Sequence, residues 1–332
     1  MPSSIDYFDR YARNLEAVKA HPQVRLQPDL NDAVLCPQCF KVITREDLND
    51  PNGQFTLEHV PPEALGGTIQ TFTCRDCNSW AGHYLDSHLL NWLRLRDFLQ
   101  MKPGSSVDAQ VTIGDEVQVT SELVYAEDGG LQILADLGRS DPSQMEQANR
   151  MMKGEPPKIN LKFSGRKGRG ARRRRPEAAL LRIAYLYAFS VFGYGFLINF
   201  GSKAIRSQFR KPEEEILPAW GISQNDSFPD KALGINIITA PNELRSFIVI
   251  FDLKYESNQV RYSVLIPGPT SPGADIYHYL AARIDTQTAI QMELVPIPID
   301  QDYIGKPETA FIFHDFWKFY KTSESGAATD EL

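Results

Sequence analysis

Three side chains in the first third of the sequence have the chemistry to hydrolyse a phosphodiester bond. Glu58 and His59 adjoin in GQFTLEHV, and Asn78 directly follows a cysteine pair in TFTCRDCNSWAG. Such a reaction needs a water, a base to take its proton, and positive charge against the pentavalent transition state. An imidazole ionises near neutrality and suits the base. A carboxylate and an amide oxygen are hard donors, which suit Mg²⁺ or Mn²⁺ better than thiolates do. Taken singly these residues carry little. A histidine after a strand more often packs or lies on the surface, and Asn at a helix start is most often an N-cap. Adjacent strand residues also point to opposite faces, so Glu58 and His59 share one site only where the strand ends or kinks. Pro61-Pro62 marks such an end.

The four cysteines of the chain, Cys36, Cys39, Cys74 and Cys77, form two C-x-x-C pairs with none left over. Where thiols stay reduced, this pattern favours zinc over disulfides, against the blander reading of two unrelated pairs of buried thiols. Four thiolates close the coordination sphere, so the ion would be structural. It would hold the turn before Glu58-His59 against the start of the helix that carries Asn78, and a small site needs such rigid support.

The elements around these residues follow from periodicity. SIDYFDRYARNLEAVKAH spaces Ile5, Phe8, Tyr11, Leu15 and Val18 as one apolar helix face. VLCPQCFKVI reads as a turn between short strands, GQFTLEHV as a strand, PPEALGG as a loop and TIQTFTC as a second strand. A long helix is expected from about Asp76 through Leu99. Beyond Lys102-Pro103-Gly104, a plausible boundary, SVDAQVTIGDEVQVTSELVYAEDGGLQILADLG alternates like β-hairpins. SQMEQANRMMK is expected as a helix and KINLKFS as a strand. A helical stretch opens at Pro176-Glu177 and runs to about Phe200. GINIITA, RSFIVIFDL, VRYSVLIPG and AIQMELVPI read as strands, DIYHYLAARI and AFIFHDFWKFYK as helices. The order suggests an α+β architecture without internal repeats.

Taken together, C-x-x-C, Glu-His, Gly-Gly and C-x-x-C-N-x-x-x-G resemble the zinc-containing branch of the HNH endonucleases, as in the phage resolvase-type enzymes of the ββα-metal superfamily. The resemblance covers about Leu35 to Asp86. It implies His59 as general base, Glu58 and Asn78 as protein ligands of one catalytic Mg²⁺ or Mn²⁺, and a structural Zn²⁺ on the four cysteines. It places Gly66-Gly67 in the loop between the strands. Gly82 falls where bulk would crowd the strands or the DNA. Two departures stand out. Glu58 replaces the commoner Asp, and the family's middle Asn, which orients the base, is replaced by Thr68, Gln70 or Thr71. The implied fold is α+β: a zinc-stabilised ββα-metal (HNH) module followed by a larger mixed α+β domain. The expected division is a helical lead-in over 1–30, the module over 31–101, the larger domain over 102–325 and a tail over 326–332. The larger domain carries no motif that names a role, and binding of substrate, a regulatory partner or a switching signal is expected of it.

Two further helical residues bear on the site. His83 lies about 140° round a helix from Asn78, and Asp86 lies nearer its face but about 12 Å further along the axis, placed to orient a partner rather than bind the ion. His88, His278 and His314 have no motif context.

The net charge of −7 makes the distribution of charge matter more than its sum. The run RKGRGARRRR places Arg166, Lys167, Arg169, Arg172, Arg173, Arg174 and Arg175 together without an acid. It reads either as a solvated loop or, preferably, as a clamp on nucleic-acid phosphates, DNA being the favoured partner. IAYLYAFSVFGYGFLINF, from Ile183 to Phe200, is nearly uncharged, yet its glycines, serine and tyrosines favour a core helix broken near Gly193-Gly195 over a membrane span. The first residues show no basic segment before an apolar run, and the final TDEL lacks the basic residue of a retention signal, so a cytoplasmic location without stable membrane insertion is expected. Two alternatives to a nuclease stay open: a non-catalytic zinc module that binds nucleic acid or a protein, and a membrane-associated effector.

Overall fold

A computed structural model describes residues 3–25, 31–50, 52–114, 116–136, 138–153, 158–163, 174–269, 275–283 and 290–320. The chain divides into two compact units, one built from residues 1–86 and 177–332 and the other from 87–176. The division falls elsewhere than the cuts expected at 30/31 and 101/102. Nonlocal packing explains the difference: the helical lead-in and the segment after residue 177 share one core.

That core starts with α1 (Ser4–Lys19), whose first turn is closed by a reciprocal capping box between Ser3 and Asp6. Its buried face carries Phe8, Tyr11, Leu15 and Val18, as the spacing predicts. β1 (Ala33–Leu35) and β2 (Val42–Thr44) form a short antiparallel ribbon with the first cysteine pair at its turn. β3 (Phe55–Val60) and β4 (Ile69–Cys74) form a second hairpin, followed by α2 (Arg75–Ala81) and a wider π turn over Gly82–Asp86. The long helix expected through Leu99 is thus interrupted, a feature that often marks functional sites. The β3–β4 loop requires glycine: Gly66 sits at φ +79°, and a Cβ on Gly67 would lie 1.6 Å from the Pro61 carbonyl oxygen.

α5 (Arg175–Phe192) is the hub of this unit. Its Phe189 stacks on Tyr11 of α1 and meets Phe72 of β4 edge-on. Its Phe192 packs on Phe247 and Phe313. The apolar run breaks at Gly193, where φ is +61° and a Cβ would strike the Asn14 side chain at 2.3 Å. The chain then forms α6 (Tyr194–Leu197) and α7 (Phe200–Arg210). Among the described residues, no helix is long and apolar enough to cross a membrane. Phe247 belongs to a five-stranded antiparallel sheet, in the order β13, β10, β11, β12, β9, from β9 (Ile222–Gln224), β10 (Gly234–Ala240), β11 (Phe247–Tyr255), β12 (Asn258–Ile266) and β13 (Glu293–Pro296). α8 (Asp275–Ala281) and α9 (Ile312–Phe319) complete the unit, and Phe313 of α9 stacks on Phe247.

The second unit opens with α3 (Ser87–Leu99). A four-stranded antiparallel sheet follows, in the order β7, β6, β5, β8, from β5 (Ser106–Ile113), β6 (Val117–Tyr125), β7 (Leu131–Ala135) and β8 (Ile159–Phe163). α4 (Pro142–Met152), N-capped by Asp141, adds Ala148 to the small core of Ala109, Val111, Val119 and Leu123. Lys102-Pro103-Gly104 is a turn inside this unit, tied by the Gly104 amide donating to the Tyr125 carbonyl at 2.7 Å.

Candidate active site and metal centre

The two C-x-x-C turns converge. One sulfur from each of Cys36, Cys39, Cys74 and Cys77 lies within 4.8 Å of the others, and Cys39 and Cys74 approach to 3.6 Å. A tetrahedral zinc with bonds of about 2.3 Å sets its sulfurs about 3.8 Å apart, so the donor set fits that ion. Backbone amides point at the sulfurs, from Lys41 to Cys39 at 3.4 Å, Cys74 to Cys36 at 3.3 Å and Cys77 to Cys74 at 3.4 Å. The Arg210 guanidinium donates to Cys77 at 3.4 Å. Each of these bonds favours the thiolate over the thiol. The bond between Cys36 and Cys39 pulls the Cys39 thiol down and pushes the Cys36 thiol up.

α5 and α6 brace the first turn from behind. The Tyr185 hydroxyl donates to the Pro37 carbonyl at 2.6 Å, and the Tyr194 hydroxyl to the Leu35 carbonyl at 2.8 Å. The Arg182 Nε donates to the Gln38 side-chain oxygen at 3.1 Å.

The β3–β4 ladder runs in unbroken register from Phe55 opposite Cys74 to Val60 opposite Ile69. It holds Glu58 opposite Thr71 and His59 opposite Gln70. The strand therefore neither ends nor kinks between Glu58 and His59. The end suggested by Pro61-Pro62 falls one residue later, and the two side chains leave on opposite faces.

On one face, Glu58 is only 6% exposed. Its Oε2 accepts from the Thr73 hydroxyl at 2.9 Å, and its Oε1 from the Arg182 guanidinium. Thr56, the cross-strand partner of Thr73, lies 3.4 Å from the Asn78 amide nitrogen. Glu58 and Asn78 thus border the same threonine pair. Their oxygens are hard donors of the kind Mg²⁺ or Mn²⁺ takes, and an ion on Glu58 would share that carboxylate with Arg182.

On the other face, half-buried His59 meets Gln70, with 3.1 Å between Gln70 Nε2 and His59 Nε2. Of Thr68, Gln70 and Thr71, the register puts Gln70 opposite His59. Thr71 is turned to the opposite face, where it bonds the Tyr11 hydroxyl at 3.0 Å.

Arg182 was not singled out by the sequence reading. It is fully buried on α5 and also reaches Asp86 of the π turn at 3.4 Å. Burial alone would lower its pKa, yet Glu58 and Asp86 hold it above the ordinary guanidinium value. Burial likewise pushes the Asp86 carboxyl up to about 6, against the pull of Arg182. The available signal was a single charge inside an apolar helical run, AALLRIAYLYAF, which is rare unless the charge is paired.

Asp86 faces Arg182 from the π turn. His83 is exposed, on the π turn rather than on a continuing α-helix. A Cβ on Gly82 would meet nothing within 4 Å, so the strands do not demand a small residue there. Of the basic run, Arg166, Lys167, Arg169, Arg172 and Arg173 lie outside the described residues. Arg174 and Arg175 are half-buried, and Arg175 Nη1 lies 3.1 Å from His88 Nε2.

A hairpin and helix pinned by two cysteine knuckles, with Glu-His on the strand and Asn after the last cysteine, define an HNH-type region. Residues 47–93 match the family model described as HNH endonuclease, which takes in Glu58, His59, Cys74, Cys77 and Asn78. The chain is a mixed α+β protein with an N-terminal HNH-family region and a larger following part. No curated protein and no solved structure matches it.

Proposed function

We propose that the protein is a metal-dependent endonuclease that hydrolyses phosphodiester bonds of nucleic acid, most simply DNA. The observation that carries this reading is the HNH endonuclease match over residues 47–93. His59 stands on the β3–β4 ladder with its ring held by Gln70, whereas Glu58 leaves the strand on the opposite face, so the reading requires β3 to turn at Glu58-His59 for ion and base to meet one phosphate.

His59 is the general base. Side-chain amide oxygen and nitrogen are interchangeable by a half-turn. With Gln70 turned so that its oxygen faces the ring, His59 Nε2–H donates to it, and Nδ1 is left to take the proton of the attacking water. Glu58 and Asn78 hold the divalent ion, which when bound supplies positive charge to the transition state. The four cysteines hold a structural zinc that fixes the hairpin to the start of α2. The basic run 166–175 contacts phosphates without reading sequence.

The test is cleavage of plasmid DNA, with an RNA arm, in Mg²⁺ or Mn²⁺ by the full chain and by His59→Ala. Loss of metal-dependent cutting in the variant supports the reading. Equal cutting by both, or none by the wild type, sinks it. The latter result would favour a non-catalytic zinc module, a reading supported by the commitment of Glu58 to Arg182.

A further inference from the structure

Arg182 poses an energetic question that the proposed chemistry does not answer. A fully buried guanidinium is costly to desolvate, and a buried ion pair often stabilises no more than apolar side chains of like volume would. This one comes from α5, outside the HNH-matched segment. It is bonded to the carboxylate that the proposed divalent ion would use.

Its surroundings hold a second acceptor. Nη1 reaches Asp86 Oδ2 at a loose 3.4 Å, while Nε is anchored on Gln38. Asp86 Oδ1 is buried and has no hydrogen-bond partner among the described residues. A guanidinium that left Glu58 could therefore keep its Gln38 bond and close a two-pronged contact on Asp86, the geometry it prefers with a carboxylate.

We propose that Arg182 is a resident counter-ion that exchanges between Glu58 and Asp86. Without a divalent ion it satisfies the buried Glu58 carboxylate. When an ion takes Glu58, the guanidinium moves onto Asp86. Arg182 thus sets the concentration of ion the site needs, as a positioning residue rather than a catalytic one. The inference rests on the assignment of Glu58 as a metal ligand.

Two substitutions separate this role from simple loss of a charge through their coupling: in the exchange Asp86→Asn acts only through Arg182, so its effect vanishes in the Arg182→Gln background, and an undiminished effect there overturns the proposal. Removing the competing charge with Arg182→Gln is expected to tighten Mn²⁺ binding about tenfold or more, since a unit charge next to a dication is a large repulsion in a buried site. Removing the alternative acceptor with Asp86→Asn keeps the guanidinium on Glu58 and is expected to weaken Mn²⁺ binding about tenfold. Binding is read on the full chain by electron paramagnetic resonance of free Mn²⁺, with zinc content and circular dichroism as checks on the fold. Shifts in the same direction, or both within about twofold, overturn the proposal. If Arg182→Gln does not fold, Asp86→Asn decides alone, and unchanged Mn²⁺ affinity overturns it. Glu58→Gln tests the underlying assignment: wild-type Mn²⁺ binding in that variant removes Glu58 as a ligand, whatever the other two do.

Discussion

The two faces of the β3–β4 hairpin are built by opposite rules. Glu58 is buried and its charge is compensated, with partners drawn from α5 and the facing strand and a second carboxylate on the π turn sharing its guanidinium. His59, one residue on, is half-buried and held by a single neutral amide. A buried charge is stable only inside its network, whereas a base must stay accessible to water and change protonation state. Adjacent positions on one strand thus separate an electrostatic anchor from the candidate base.

The comparison can be broken at several levels. Both faces hang from the cysteine cluster, so zinc removal should have the largest effect. Structural zinc contributes an apparent ~10–16 kcal/mol in small domains. Cys74→Ser, or a strong chelator, is expected to abolish bound zinc by metal analysis and to unfold the hairpin by circular dichroism. Unaltered cooperative unfolding after zinc loss would mean that packing alone holds both faces.

Next in size is the contrast between the neighbours themselves. Glu58→Ala removes the nearer of the two carboxylates that compensate buried Arg182, leaving only Asp86, and should cost about 3–5 kcal/mol in chemical denaturation. His59→Ala should stay within about 1 kcal/mol of wild type in the same assay. Its cleavage rate is expected to fall about 10²- to 10⁴-fold. Equal stability losses would erase the distinction between the faces.

A pH titration of stability sharpens the buried face. The Asp86 carboxyl is raised from 3.8 to about 6 by burial. A group raised on folding stabilises most below its unfolded pKa, and that contribution disappears as pH rises through its folded value. Wild type should therefore lose roughly 2–3 kcal/mol relative to Asp86→Asn between pH 4 and 7, at 1.36 kcal/mol per pKa unit. A pH-independent difference between the two proteins would show that Asp86 is not charged at a cost.

The smallest effect belongs to Gln70. Its bond to His59 is half-buried and neutral, so Gln70→Ala should cost about 1 kcal/mol or less in stability. Cleavage should fall about tenfold, as for other groups that orient a reactive ring, with a shifted pH–rate profile. An unchanged profile would leave His59 oriented by something else.

The local features of the site were legible because they are written in spacing. Two cysteine pairs, a Glu-His step and a following Asn lie within 43 positions, and period-2 and period-3.6 patterns placed the hairpins and helices around them. What the spacing could not carry was register and long-range pairing. Thr68, Gln70 and Thr71 were equivalent in one dimension. Only the ladder, with His59 opposite Gln70, chose among them. Arg182 escaped because its partner Glu58 is 124 residues away. The expected boundaries rested on local breaks, whereas Tyr11 of α1 packs against both Phe72 and Phe189.

The brace on the first cysteine turn also imposes an order of assembly. A nascent chain that has emerged through residue 101 already carries every residue of the Glu-His-Asn motif and all four cysteines. It lacks Arg182, Tyr185 and Tyr194, which grip that turn and neutralise Glu58. At about 5–20 residues per second, those side chains follow several seconds later. The candidate site is therefore completed only after residues 182–194 have been made and close over a motif synthesised before them.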